Sequence, residues 1–306
     1  MMILLAMIPA FFWGSTYAVT QYALPDWPPI LLGALRALPA GLLLLAIKPI
    51  WPKGKQWLQL ACLGTINIAI FFCLIFVMAL TLPSAISSVG MMSLPVFAMA
   101  YHWLVHKRTP SLVQIVSGTL LIIFAWLLFN PTQMTLNPLG LLAMLAAIVS
   151  IVIGSDVTKS LAKQMHWWQV LVWQLIMGGL VLTIAATFDG VLHPENYVSA
   201  LSNLNALNLA GLAWVILLNT ALGYGLYVWV LQRMTVVEFT FGGIANPIAG
   251  IVFGLVLIGD SYSPSQYLLM LGMIVMSLMP QIVSGIKKSK EKKVAVTTFS
   301  SNDQPS

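Results

Sequence analysis

Charge is what this chain has least of. Asp, Glu, Lys and Arg make up 7% of its 306 residues, against about 25% in ordinary soluble domains. With 59% hydrophobic residues, a water-soluble fold is excluded. The net charge of +6 does not make a nucleic-acid binder, because such a protein gathers its cations on a soluble surface and no soluble domain is left over. Cysteine is nearly absent. Cys62 and Cys73 would lie about 16 Å apart along one helix, too far for a disulfide, and read as packing residues. Catalytic signatures are missing too: no HExxH, no GxSxG and no phosphate-binding loop. His102, His106, His166 and His193 share no spacing that suggests a metal site. No enzyme, cofactor or metal is therefore expected. An intramembrane lipid-modifying enzyme would need a nucleophile or metal constellation, and the sequence offers none. No carboxylate lies in the central third of any apolar stretch, which argues against a buried Asp/Glu proton relay. Coupling through His102 and transport driven by the substrate gradient alone both stay open.

What the chain has in quantity is long hydrophobic runs. They read as Ile3–Tyr22, Pro29–Ile47, Trp57–Met78, Pro83–His106, Leu112–Phe129, Leu139–Leu161, Trp168–Phe188, Leu207–Leu231, Val236–Gly259 and Ser265–Ile286. Each has about the 17–25 residues that cross a bilayer as a helix. The expected fold is an all-α integral membrane protein of ten transmembrane helices. With a cytoplasmic N-terminus, the inside loops hold Lys48, Lys53, Lys55, Lys107, Arg108, Lys159, Lys163, Arg233 and the lysines from Lys287 to Lys293. The outside loops hold Asp26, Asp189, Glu195 and Asp260, and no Lys or Arg. That bias predicts both termini in the cytoplasm. The first run lacks the basic flank of a signal peptide and reads as a retained helix. Residues 287–306 read as a basic, disordered cytoplasmic tail against anionic lipid. Asp156 is expected to pair with Lys159 one turn on, and Arg233 with Glu238 across a short loop.

The chain also repeats itself. A shift of 152 puts Asn67 on Asn219, Ala69 on Ala221, Leu74 on Leu226 and Pro95 on Pro247. A shift of 140 puts Gly14-Ser15 on Gly154-Ser155, and one of 154 puts Pro110 on Pro264 and Gly118 on Gly272. Ordered matches at a nearly constant offset imply a duplication, residues 1–130 and 137–286. Five helices per repeat is an odd number, so the second repeat enters the membrane from the opposite side. Inverted repeats are the architecture of many alternating-access transporters.

Several residues carry a family resemblance: Phe12-Trp13-Gly14-Ser15-Thr16 in the first helix, and Pro28-Pro29 followed by Arg36 in the second. In the second half they are Gly223-Tyr224-Gly225, Asn246-Pro247 and Gly259-Asp260. With ten helices in two halves, the chain resembles the EamA-type members of the drug/metabolite transporter superfamily over Met1–Gly285. His106-Lys107-Arg108 stands where the first half of that pattern usually carries an acidic residue, and Asp260 replaces Glu in the second. The resemblance implies an inner-membrane carrier of a small polar or amphipathic metabolite, an amino acid or related compound, moved by export. A passive channel is the alternative. The partners implied are a small-molecule substrate and membrane lipid, with no nucleic acid; a homodimer is left open.

The pathway residues follow from helix faces. On the second helix Gly33, Arg36, Ala37, Ala40 and Gly41 share one small-residue face. A cation there either snorkels to the headgroups or faces the interior to meet a substrate carboxylate. Gln174 lies near the matching position of the second half. Trp13, Thr16 and Tyr17 cluster on the first helix, with Trp13 away from the interfaces that tryptophans favour. Ser88, Met91 and Pro95 share a face of the fourth. Asn67 and Asn219 are matched amides that lipid would not tolerate. They serve as glue between helices or as substrate contacts. Gly223, Tyr227 and Asn246 complete the candidate substrate-binding set. Pro95 and Pro247 are the candidate hinges, since each removes a helix hydrogen bond. Gly250 and Gly254 are expected to form a close-packing face.

Overall fold

A backbone in hydrocarbon has no water to bond, so each crossing segment must satisfy its own N–H and C=O groups as a helix. The computed structural model of the protein describes residues 2–129, 135–161, 164–231 and 242–302, and all regular structure among them is helical. The elements are α1 (Met2–Ala23), α2 (Pro29–Ile47), α3 (Gln56–Thr81), α4 (Ser84–His106), α5 (Leu112–Leu128), α6 (Pro138–Leu161), α7 (Trp167–Leu192), α8 (Pro194–Ser202), α9 (Ala206–Tyr227), α10 (Ala245–Ile258) and α11 (Pro264–Asn302). Among the described residues seven helices are long and apolar enough to cross a membrane: α2, α3, α4, α6, α7, α9 and the stretch Pro264–Ile286 of α11. The apolar helices α5 and α10 are shorter. Residues 232–241, which include the start of the ninth expected run, lie outside the described residues, as do the expected Arg233–Glu238 pair and Lys163.

Two elements depart from the sequence reading. Helix α8 occupies what reads as a loop. Pro194 opens it and Glu195 sits in its first turn, both of which favour a helix start. Helix α11 continues to Asn302, so the segment expected as a disordered tail begins as helix. Its Lys, Glu and Ala residues are good helix formers.

Apolar side chains on the outside of the bundle, such as Leu58, Leu112, Trp126 and Val256, stay exposed, an arrangement suited to lipid rather than water. Inside, α2 packs along α7, α1 lies against α9 and α10, α3 against α6 and α7, α4 against α6 and α10, and α5 against α11. Small residues make these approaches possible. A Cβ on Gly178 of α7 would sit 2.5 Å from the Gly64 carbonyl oxygen of α3. Gly250 meets Ser88, and Gly254 meets Asp260 and Ser84, so that pair of glycines does form a packing face.

The ends are tied by polar groups. At one end the indoles of Trp168 and Trp173 donate to the carbonyls of Lys48 and Ile50, joining the α2–α3 loop to α7. At the other, Asn208 donates to Ala23 and the Tyr197 hydroxyl to Asp189. Tyr262 donates to Asp260, and burial together with that carboxylate pushes its phenol up from its ordinary range.

Candidate substrate site

Arg36 does not snorkel. It is 4% exposed, and its Nε donates to Thr220 Oγ1 of α9 at 2.9 Å. Its guanidinium lies 4.2 Å from the centre of the Phe72 ring and 5.9 Å from that of Phe76. The face that carries it is shared. Gly33 and Gly41 press on Leu182 and Ile176 of α7, while Arg36 between them reaches past α7 to α3 and α9. Among the described residues no carboxylate lies within ion-pair distance of it. Cation–π contact is worth about 2 kcal/mol when desolvated. Taking the ion out of water costs several. Arg36 is thus a buried cation for which the described residues provide no anionic partner.

Around Arg36 the sequence candidates divide. Trp13 Nε1 donates to the Asn219 carbonyl at 2.9 Å, and its ring packs on Tyr224 and Tyr227, both at 5.3 Å. Thr16 accepts from Asn219 Nδ2 at 2.6 Å. Tyr17 is buried and packs in the apolar cluster with α3 and α6, and Gly223 lets the Trp13 indole approach its backbone. Phe72 joins the set through Tyr224, 6.4 Å away between ring centres. The result is an aromatic and amide wall around one guanidinium, built from α1, α2, α3 and α9.

A second polar contact lies between α3 and α7, where Asn67 Nδ2 donates to Gln174 Oε1 at 2.7 Å. The Asn67 side chain also fills the space over Gly154 of α6. Among the described residues, the buried Oδ1 atoms of Asn67, Asn219 and Asn246 have no hydrogen-bond partner. Each is an acceptor whose burial costs about 1–3 kcal/mol unless something donates to it. Ser88 and Met91 do not reach this wall. Ser88 donates to Ala85 and backs onto Gly250, and Met91 packs in the apolar cluster of α3 and α6. The Asn246 backbone carbonyl is pressed against Gly14.

Both asparagines lie in π-helical stretches, Thr65–Ile70 and Trp214–Leu222. A wider turn leaves backbone carbonyls free to bond elsewhere, and such stretches gather at functional sites. Here the Asn219 carbonyl takes the Trp13 indole and the Ile66 carbonyl takes the Ser150 hydroxyl. The prolines behave similarly. Pro95 and Pro247 each fall in the first turn of a restarted helix, after the 3-10 turn Met91–Ser93 and after Ile244. A first-turn proline forfeits no helix bond. The break therefore precedes the proline. Thr220, Tyr224, Phe72 and Phe76 escape the sequence reading of the site. Thr220 and Tyr224 stand one turn apart on the Asn219 helix, a spacing that could have drawn attention to them. Nothing local marks the two phenylalanines.

Apolar helices with lipid-suited outer faces, closed around a desolvated cation and an aromatic wall, define a membrane-embedded protein that handles small molecules. The chain belongs to the EamA-like transporter family, matching it over residues 1–130 and 138–279. It is 29% identical to Protein PecM of Dickeya dadantii over 83% of each chain. It is 25% identical to the uncharacterized inner membrane transporter YedA of Escherichia coli K12, over 87% of this chain and 85% of that one. In fold it is similar to a solved crystal structure, with a TM-score of 0.59 and 14% identity, over 90% of this chain and 96% of that one. The family and the relatives' names point to a membrane transporter of a small molecule rather than to an enzyme.

Proposed function

We propose that the chain is a secondary carrier of a small carboxylate-bearing metabolite, an amino acid or a related compound, working by alternating access between two inverted five-helix halves. The observation that carries the substrate class is Arg36, buried against Thr220 and Phe72 with no carboxylate among the described residues to neutralise it. A carboxylate in a fork with a guanidinium makes the strong, geometrically specific kind of hydrogen bond. The aromatic wall of Trp13, Phe72, Tyr224 and Tyr227 suits an apolar or aromatic side group on the same molecule. Asn219 and Asn246 offer it acceptors.

The repeat reading is supported by matched irregularities. Asn67 and Asn219, 152 residues apart, both lie in π stretches, and both proline helices restart just before the proline. The packing respects the same exchange: α1 lies on α9 as α6 lies on α3, and α1 on α10 as α6 on α4. In this reading both termini are cytoplasmic, and YedA's inner-membrane description supports the same location here. Export is the direction proposed, on the strength of the family resemblance.

Counterflow in proteoliposomes tests the reading. Vesicles preloaded with an unlabelled amino acid should draw in the labelled compound transiently above equilibrium. Simple equilibration, with no overshoot for any of a panel of amino acids, would point to a pore.

A further inference from the structure

The four histidines share no common spacing, and the i,i+4 step from His102 to His106 supplies by itself only two ligands. The fold supplies what the spacing lacks. His102 and His106 stand one turn apart at the end of α4, and Asp156 of α6 reaches both. Their ligand atoms all lie within 4.8 Å of one another. His106 Nε2 is 3.0 Å from Asp156 Oδ2, near the edge of about 3.3 Å in a tetrahedron with metal bonds of about 2.0–2.1 Å. Among the described residues the buried Nδ1 of His102 has no hydrogen-bond partner. The Tyr101 hydroxyl donates to the same Asp156 oxygen at 3.2 Å, the outer support that metal-binding carboxylates usually have. The end of α4 is itself fixed: Lys107 takes a left-handed conformation and the Arg108 N–H bonds the His102 carbonyl.

We infer that His102, His106 and Asp156 form a binding site for a divalent transition metal, Zn²⁺ in the first instance, that clamps α4 to α6. Two imidazoles and one carboxylate are a zinc ligand set that leaves one position for water. Hard oxygen-seeking cations such as Mg²⁺ prefer carboxylate, carbonyl and water and would not select it. On the transporter reading α4 and α6 belong to different halves, and the site lies at the end that the loop charges assign to the cytoplasm. A bound ion would hold that end closed and slow the transport cycle. Binding itself does not depend on that reading.

The test uses the full-length protein in detergent with any histidine tag removed. Zn²⁺ titration should give one site per chain, and Co²⁺ in its place should show the visible absorption of an ion with nitrogen ligands and low coordination number. His106→Ala, at an exposed helix end, and Asp156→Asn should each weaken Zn²⁺ binding by about 100-fold or more. Tyr101→Phe should weaken it by about 10- to 100-fold. His166→Asn, which keeps a capping acceptor at α7, should bind as wild type. Micromolar Zn²⁺ should slow counterflow by the wild type and leave His106→Ala unaffected. The inference is overturned if no stoichiometric site exists, or if binding survives both ligand substitutions. Binding without any effect on a measurable counterflow overturns the clamp. Absence of counterflow beside intact, ligand-dependent Zn²⁺ binding would instead count against the carrier reading.

Discussion

Arg36→Met separates the roles of a buried charge in folding and in transport. The substitution keeps the length of the side chain and removes its charge. The wild-type cation gains about 2 kcal/mol from Phe72 and about 1.5–3 kcal/mol from its hydrogen bond to Thr220. It loses several through burial with no counter-ion among the described residues. These nearly cancel. Thr220 is not orphaned by the change, since its hydroxyl still donates to the Val215 carbonyl at 2.8 Å. Thermal unfolding in detergent should therefore stay within a few degrees of wild type or rise. Transport should change in one particular way. If the guanidinium holds a substrate carboxylate, that bond contributes about 1.5–3 kcal/mol to binding, or about 10- to 150-fold in affinity. Competition in proteoliposomes between each amino acid and its decarboxylated amine measures it directly. The wild type should prefer the acid by about that factor, and Arg36→Met should lose the preference. An unchanged preference with an intact protein would refute the reasoning. A collapse of stability with transport specificity retained would make Arg36 a structural residue.

Three further outcomes follow from the packing and the topology. A Cβ at Gly14 would lie 2.0 Å from the Asn246 carbonyl oxygen, whereas one at Gly225 meets nothing within 4 Å. Gly14→Ala should thus cost about 1–3 kcal/mol of stability and Gly225→Ala should gain up to about 1 kcal/mol, read as opposite shifts in detergent unfolding. Thr16→Val removes the acceptor for the Asn219 amide and should cost about 1 kcal/mol, the scale of a hydrogen bond between membrane helices. A larger loss of transport than of stability in that variant would tie Asn219 to the site. A phosphatase active only outside the cytoplasm should work when fused after Glu195 and not at Ser306; activity at the C-terminus would require an odd number of crossings.

The crossings were legible because hydrocarbon imposes the same demand on every residue in a run. Pro29–Ile47 reads from sequence with the bounds that the structure has, and Leu112–Phe129 differs from α5 by one residue. Asn219 was legible as an interior residue for the same reason, since an amide cannot face lipid cheaply, whereas the sequence leaves Arg36 between the headgroups and the interior. Their partners were not legible. Asp156 reads as one half of a pair with Lys159, a neighbour on its own helix. The structure gives it Tyr101 and His106 from α4, and the side chain of Lys159 lies outside the described residues. Local spacing reports who stands beside a residue on one helix, never which other helix arrives opposite. The π stretches were hidden differently. They follow from the fit between helices around Asn67 and Asn219, and no residue type announces a wider turn. The short helix α8 was missed because a hydropathy scan for crossings passes over nine polar and apolar residues that lie along a surface.

On the proposed duplication, the matched asparagines also bear on how two related halves would hold an asymmetric substrate. Each sits in a π stretch of its half, yet the partners differ. Asn219 faces Thr16 and Trp13 of α1, next to the Arg36 wall. Asn67 is held by Gln174 of α7 and covered by Gly154. The position in α1 that accepts from Asn219 is Thr16, and the 140-residue offset of the repeat puts Asp156 at its counterpart in α6, turned toward the histidines of α4. If α1 and α6 are the repeated helix, one frame places a neutral hydroxyl in the wall around Arg36 and a carboxylate at the end of the bundle. A carboxylate at position 16 would put a fixed anion against the Asn219 amide, in the wall that a substrate anion is proposed to meet. The same residue at position 156 is harmless to Arg36 and available to a metal. On the repeat reading, two halves that share one helical frame would still differ in charge at the points where a ligand would be recognised.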